Sequence, residues 1–267
     1  MKRLLPGLFI TLFFITACAA GENTFPTQKS LTPTPRPGFT REPGPWRIMP
    51  LGDSLTEGGY PAGHHSYRGY LETLLHGFGY EFDFVGTQWR LGHNGTDYDH
   101  EGHGGFRIGP DESVGAGWPV NIYDRIDYYL KTDPDIILLL IGINDMFPST
   151  ARPINPADAD QKLAGLVERI LELDPDVHIF IASLVPVNLD RTEPWPEYEA
   201  VNAMAEQIGT ANPNDRIYFV DMNRVLTPIM DSADYADGLH FSESGARKVA
   251  QVWFDAIQES KILTTSP

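Results

Sequence analysis

The seven residues from Asp135 to Ile141 (Asp-Ile-Ile-Leu-Leu-Leu-Ile) constrain the fold more than any other stretch of the chain. Successive side chains of a strand point to opposite faces of its sheet, so a half-exposed strand alternates apolar and polar residues. This run is apolar on both faces. Strands of that kind belong to parallel sheets covered by helices on both sides. Four further segments read as strands: Arg47 to Leu51, Glu81 to Val85, His178 to Ser183 and Ile217 to Asp221. Helical patterns fall between them, at Tyr67 to Phe78, Ile122 to Lys131, Ala157 to Leu173 and Pro196 to Ala211. The longest carries Leu163, Leu166, Val167, Ile170 and Leu171 on one face. Near the C-terminus Ala246, Val249, Ala250, Trp253 and Ile257 form another apolar face, which reads as core. Five strands alternating with helices predict an α/β fold, a flavodoxin-like three-layer α/β/α sandwich around a five-stranded parallel sheet.

Ligands of such sheets sit beyond the C-terminal edge of the strands. Polar residues collect at that edge here: Asp53 and Ser54 after the first strand, Asn144 and Asp145 after the third, Asp237 and His240 after the fifth. A serine hydroxyl becomes an effective nucleophile when a base takes its proton and a third group orients the base. The oxyanion that then develops requires preorganised donors. Gly52-Asp53-Ser54-Leu55 supplies a serine at a strand-to-helix turn, although an isolated serine there is more often a helix N-cap. Asp237-Gly238-Leu239-His240 offers a carboxylate and an imidazole from one short loop. Ser242, just beyond it, reads as the cap of the last helix. Asn144 and the Gly104-Gly105 pair are candidate oxyanion donors.

Together the four elements resemble, in order and spacing, the four blocks of the SGNH (GDSL) hydrolase superfamily. The resemblance runs from about Arg47 to Gln258. It implies Ser54 as nucleophile, His240 as base, Asp237 as the orienting acid, and Ser54, Gly105 and Asn144 as the oxyanion hole. Finer features are similar to carbohydrate esterase family 3, typified by acetylxylan esterases: Ile48-Met49-Pro50-Leu51-Gly52-Asp53-Ser54, Ser66-Tyr67-Arg68, Phe84-Val85-Gly86-Thr87-Gln88 and Asp99-His100-Glu101-Gly102-His103-Gly104-Gly105. Gly104 stands where some relatives carry Ser. The resemblance implies deacetylation of xylan or a related polysaccharide, with lysophospholipase, thioesterase or arylesterase activity as the alternative on the same fold. A carbohydrate-binding lipoprotein without catalysis is a third reading, disfavoured by the presence of all three triad residues. Arg68, Trp89, Arg107 and Trp195 are candidate contacts to a sugar.

The formal net charge is −16, and no basic cluster interrupts it. Nucleic-acid binding through a basic patch is therefore not expected. The same acidity disfavours binding of anionic lipid head groups by the folded domain. No phosphate loop or dinucleotide fingerprint occurs, and no cofactor is expected. Asp97, Asp99 and Glu101 have the look of the start of a calcium loop, but Ile108 stands where its bidentate Glu belongs. His100 and His103 read as loop hydrogen-bonders. His64 and His65 read equally as cleft residues near Ser54 or as ordinary loop.

At the N-terminus Lys2 and Arg3 precede an apolar run, Leu4 to Ile15, too short to span a bilayer as a mature helix. It leads into Ile15-Thr16-Ala17-Cys18, which resembles a bacterial lipobox. Cys18 is the chain's one cysteine, so no intramolecular disulfide can form. Residues 1–18 are thus expected to be a lipoprotein signal with its lipidated Cys18, and residues 19–44, rich in Thr, Pro and Gly, an extended tether. The hydrolase domain is expected over 45–262, with 263–267 as a tail. An extracytoplasmic protein held to the membrane through Cys18 follows, or a secreted one if cleavage falls near Ala20.

Overall fold

The computed structural model describes residues 44–59, 63–89, 95–110, 121–147, 156–189, 195–211 and 216–263. The expected signal and most of the tether lie outside them. The first strand, β1 (Trp46–Gly52), runs into a single helical turn, α1 (Ser54–Glu57), and then α2 (Arg68–Phe78). Next come β2 (Phe82–Phe84), β3 (Glu101–Gly102), α3 (Ile126–Tyr129), β4 (Ile136–Leu140) and α4 (Ala159–Leu173). The chain continues through β5 (His178–Ala182), α5 (Pro196–Ala211), β6 (Ile217–Val220), α6 (Met222–Leu226) and α7 (Glu243–Ser260).

All strand pairings are parallel, and the order across the sheet is β2-β1-β4-β5-β6. The run that opened the sequence reading is β4. It lies between β1 and β5, and all five of its residues are buried. Helices α2 and α7 pack together, as do α4 and α5, with α3 against α4. Leu163, Leu166, Val167 and Ile170 of α4, and Val249, Ala250, Trp253 and Ile257 of α7, are essentially solvent-free. Each large apolar side chain so buried contributes about 1.5–3 kcal/mol relative to exposure. Trp253 of α7 also meets Tyr67, which precedes α2, with ring centroids 5.9 Å apart. Leu263, assigned by sequence to the tail, is buried in the core.

Short elements such as β3 and α6 escaped the sequence pattern, and one expected helix is broken. β3 is two residues long and pairs with the end of β1, where Leu51 meets Glu101 and Gly52 meets Gly102. It takes up the edge of β1 that β2 leaves after Ile48. The helix expected over Ile122 to Lys131 is broken into 3₁₀, α and 3₁₀ pieces and stops at Asp133, whose φ is +53°. Pro134 follows, and the residue before a proline is pushed out of the right-handed helical region. α6 is a single turn capped by the Asp221 side chain, which accepts from Arg224 N.

The strand order fixes the place of the site. From β1 the chain goes to β2 on one side and later to β4 on the other, so the loops after β1 and β4 diverge and open a crevice at the sheet's C-terminal edge. Gly52 ends β1 in that crevice, and only glycine fits. A Cβ there would lie 2.1 Å from Leu140 O and 2.5 Å from Thr56 Oγ1.

Candidate active site

Ser54 leaves β1 as the first residue of α1. The cap of that turn is Asp53, whose Oδ1 accepts from Leu55 N at 3.0 Å. The Ser54 hydroxyl is therefore not consumed as an N-cap. Its Oγ lies 2.9 Å from Nε2 of His240.

His240 comes from the segment between α6 and α7, 186 residues further along the chain. Ala236 N donates to His240 O at 2.8 Å and Tyr235 bridges Phe241, so residues 235–241 close into a tight loop. Its tip needs Gly238, with φ +87°. Inside the loop the Asp237 carboxylate accepts from Leu239 N (3.1 Å) and His240 N (2.8 Å) on Oδ1, and lies 2.9 Å from His240 Nδ1 through Oδ2. Partial burial works to raise its pKa. The His240 and Leu239 donors and the charge of the imidazole outweigh it, and the value falls to about 2. Asp237 is thus an anion at neutral pH, placed to hold Nδ1 protonated and leave Nε2 to accept the serine proton. Ser242 begins α7 as expected, accepting from Gly245 N and donating to Ala233 O.

The residues expected to form the oxyanion hole, Gly105 and Asn144, lie in the loops after β3 and β4. His103 N donates to Gly52 O, and Phe106 N to His103 O. Gly105 sits in that turn with φ +77°, a conformation costly for a residue with a Cβ. The Asn144 amide directs one N–H to Phe106 O at 3.0 Å, tying the two loops together. Glu57, at the end of α1, accepts from Gly104 N at 2.7 Å. The nucleophile's turn and the Gly104-Gly105 turn are thereby in direct contact. Below them His103 is sandwiched between the rings of Phe106 and Tyr129 and pairs through Nε2 with the fully buried Glu101 at 2.5 Å.

Two expected sugar contacts are corrected. Arg68 is fully buried. Its guanidinium donates to the carbonyls of Thr56 (2.9 Å), Glu57 (3.0 Å) and Tyr98 (3.3 Å), clamping the end of α1 to the loop before β3. Arg107 is also buried, with its backbone paired to Asn121. Both residues lie inside the fold. Trp195 is half-buried, stacked on Tyr198 and edge-on to Phe147. Trp89 is 74% exposed.

Two of the three carboxylates considered for calcium, Asp97 and Glu101, accept hydrogen bonds from nearby protein donors. Asp97 accepts from Phe84 N and Asp99 N, and Glu101 from Thr87 and His103. Among the described residues the group whose ligand atoms converge within 4.8 Å is instead His64, Asp237 and His240. There the two imidazoles stack at 4.2 Å with 13° between planes. Both rings direct a nitrogen to the same carboxylate oxygen, Asp237 Oδ2, at 3.2 Å from His64 Nε2 and 2.9 Å from His240 Nδ1. His64 was the site residue that sequence left undecided. Its only signal was its place ten residues after Ser54.

The chain belongs to the GDSL-like lipase/acylhydrolase family, whose model matches residues 51–248. A family 3 carbohydrate esterase of Clostridium thermocellum is 33% identical and superposes with a TM-score of 0.62, over 80% of this chain and 96% of that one. The finer assignment, to the family 3 carbohydrate esterases within the SGNH hydrolases, rests on that likeness. A carbohydrate esterase family 3 structure from Talaromyces cellulolyticus shares the fold at 23% identity and a TM-score of 0.61, covering 82% of this chain and all of that one. Among curated proteins, the "Multidomain esterase" of Ruminococcus flavefaciens is 26% identical over 250 residues, 86% of this chain and 30% of that protein. The "Putative endoglucanase X" of Acetivibrio thermocellus is 31% identical over 137 residues, 50% of this chain and 54% of that protein. The chain spans about a third to a half of the length of these curated relatives. By family it stands among the carboxylic ester hydrolases.

Proposed function

We propose that the protein removes O-acetyl groups from a carbohydrate such as acetylated xylan, through an acyl-enzyme on Ser54. The observation that carries this reading is the unbroken hydrogen-bonded chain from Ser54 Oγ through His240 to Asp237, with both links at 2.9 Å. Ser54 Oγ attacks the ester carbonyl carbon while its proton passes to Nε2 of His240. Asp237 stabilises the imidazolium that forms. The negative oxygen of the tetrahedral intermediate faces the Ser54 and Gly105 backbone N–H groups and the Asn144 amide. Collapse breaks the bond to the sugar oxygen, which leaves with the proton from His240. Water, deprotonated by the same imidazole, then attacks the acyl-enzyme and releases acetate and Ser54.

The carbohydrate half of the proposal is supported by the 33% identical relative, a family 3 carbohydrate esterase, which this chain matches over nearly the whole of that protein. Residues Trp89 and Tyr98, exposed on the excursion that Gln88 and His100 close by pairing, offer aromatic surface of the kind that sugars stack on. Kinetics on p-nitrophenyl esters of increasing chain length test the acyl preference. We expect kcat/KM to be highest for acetate and to fall toward octanoate, with acetate release from acetylated xylan. A steady rise toward octanoate would favour the lipase-like alternative. We further propose that lipidation of Cys18 anchors the protein outside the cytoplasm, on the strength of the sequence Ile15-Thr16-Ala17-Cys18.

A further inference from the structure

His64 lies against the imidazole of His240, and its arrangement is built and not incidental. Its Nε2 is 3.2 Å from Asp237 Oδ2, the same oxygen that faces Nδ1 of His240. The two rings are stacked in parallel at 4.2 Å. The His64 side chain is 5% exposed, whereas that of Asp237 is 43% exposed. The segment that carries His64 is fixed at both ends. His64 O accepts from Gly59 N, and His65 N donates to Phe241 O, the carbonyl next to His240. The Tyr70 hydroxyl lies 3.4 Å from His65 Nδ1. The segment after α1 is therefore tied directly to the loop that holds the base.

We propose that His64 is a positioning residue of the triad: its Nε2–H donates to Asp237 Oδ2 and its ring forms the wall against which His240 is set. This rests on the reading of Ser54, His240 and Asp237 as a hydrolytic triad. An ionised carboxylate accepts up to about four hydrogen bonds. Leu239 N and His240 N face Oδ1, and the two imidazoles face Oδ2, so the Asp237 carboxylate is saturated by the protein alone. A carboxylate this exposed would otherwise share Oδ2 with water, which neither fixes its torsion nor excludes rotation. Holding Oδ2 in place holds the Nδ1–H of His240 in line, and with it the direction of Nε2 toward Ser54. Errors of a fraction of an ångström in that alignment are costly, because proton transfer requires the reacting atoms at hydrogen-bond distance.

The test compares the full chain with two variants. His64→Gln keeps an N–H donor at about the reach of Nε2, and His64→Phe keeps the stacked ring without the donor. Two readouts are taken: kcat and KM on p-nitrophenyl acetate, and the strongly deshielded proton NMR resonance of the His240 Nδ1–H shared with Asp237. For His64→Phe we expect kcat to fall about 10-fold, the effect of one lost hydrogen bond to a charged group, with KM changed less than about 2-fold. The deshielded resonance should move upfield or vanish. His64→Gln should restore most of kcat and keep the resonance. Wild-type kcat and an unmoved resonance in His64→Phe would overturn the proposal, as would damage in His64→Gln equal to or greater than that in His64→Phe, which would show that the retained donor is without effect. If His64→Phe does not fold, the resonance and kcat of His64→Gln decide, and loss of both would contradict the donor role. A wild-type protein inert toward every acyl ester would instead defeat the hydrolytic reading, and the resonance would still decide the role of His64.

Discussion

Asp53 carries an unusual electrostatic load for a residue beside a nucleophile. It is 1% exposed, and its Oδ2 has no hydrogen-bond partner among the described residues. Burial, with the charge of Asp145 adding to it, outweighs the Leu55 donor and raises its pKa to about 7. The sign of the consequence is fixed by linkage. The folded chain holds this proton more tightly than the unfolded chain does. The stability so gained is full below the ordinary carboxylate range and is lost as pH rises through about 7. Asp53→Asn removes the titration and keeps the shape. Its melting temperature should therefore gain on the wild type between about pH 5 and about pH 8, by an amount corresponding to no more than a few kcal/mol. Parallel melting curves for the two proteins across that range would contradict the assignment.

At the scale of elements, the site depends on how tightly α1 is held between β1 and the loops around it. Arg68 contributes to this, donating to the carbonyls of Thr56, Glu57 and Tyr98, the first of which also accepts from the Ser66 hydroxyl. Arg68→Met should destabilise the fold by about 2–3 kcal/mol, because it takes the guanidinium donors away from Glu57 O and Tyr98 O. Thermal or denaturant unfolding reads this out. A variant of wild-type stability with a raised KM for acetylated xylan alone would instead restore Arg68 to the substrate. The correction also shows where sequence runs out. Long apolar runs such as that of β4, and the helical spacing in α4 and α7, report burial directly, so the strands and main helices could be read from the chain. So could Ser54, Asn144, Asp237 and His240, because each follows a strand at the edge where such sheets bind ligands. Arg68 gave no such signal: an arginine near a site reads as a substrate contact until its carbonyl partners, 11, 12 and 30 residues away, are seen. The two residues of β3 are too few to show a period, and the approach of His64 to Asp237 joins loops 173 positions apart in the chain.

For the whole molecule, the described residues form a catalytic domain whose site opens at one edge of its sheet, preceded in sequence by a Pro- and Thr-rich stretch and Cys18. The formal charge of −16 would repel an anionic membrane, so attachment through a lipidated cysteine and a tether is a physically economical way to keep such a domain near a surface. If Cys18 is the anchor, the protein should fractionate with membranes and Cys18→Ser should release it or stall its processing. A mature N-terminus beyond Ala20 would contradict this. The central claim, that Ser54 is a nucleophile activated by His240 and Asp237, is tested most directly by covalent labelling. The full chain is treated with a fluorophosphonate, residual activity on p-nitrophenyl acetate is followed, and the labelled peptide is sequenced by mass spectrometry. The account predicts one equivalent of label on Ser54, loss of activity in proportion to labelling, and no label on Ser54→Ala or, within the same time, on His240→Ala. Full activity after complete treatment, or label on another residue in step with inactivation, would contradict it.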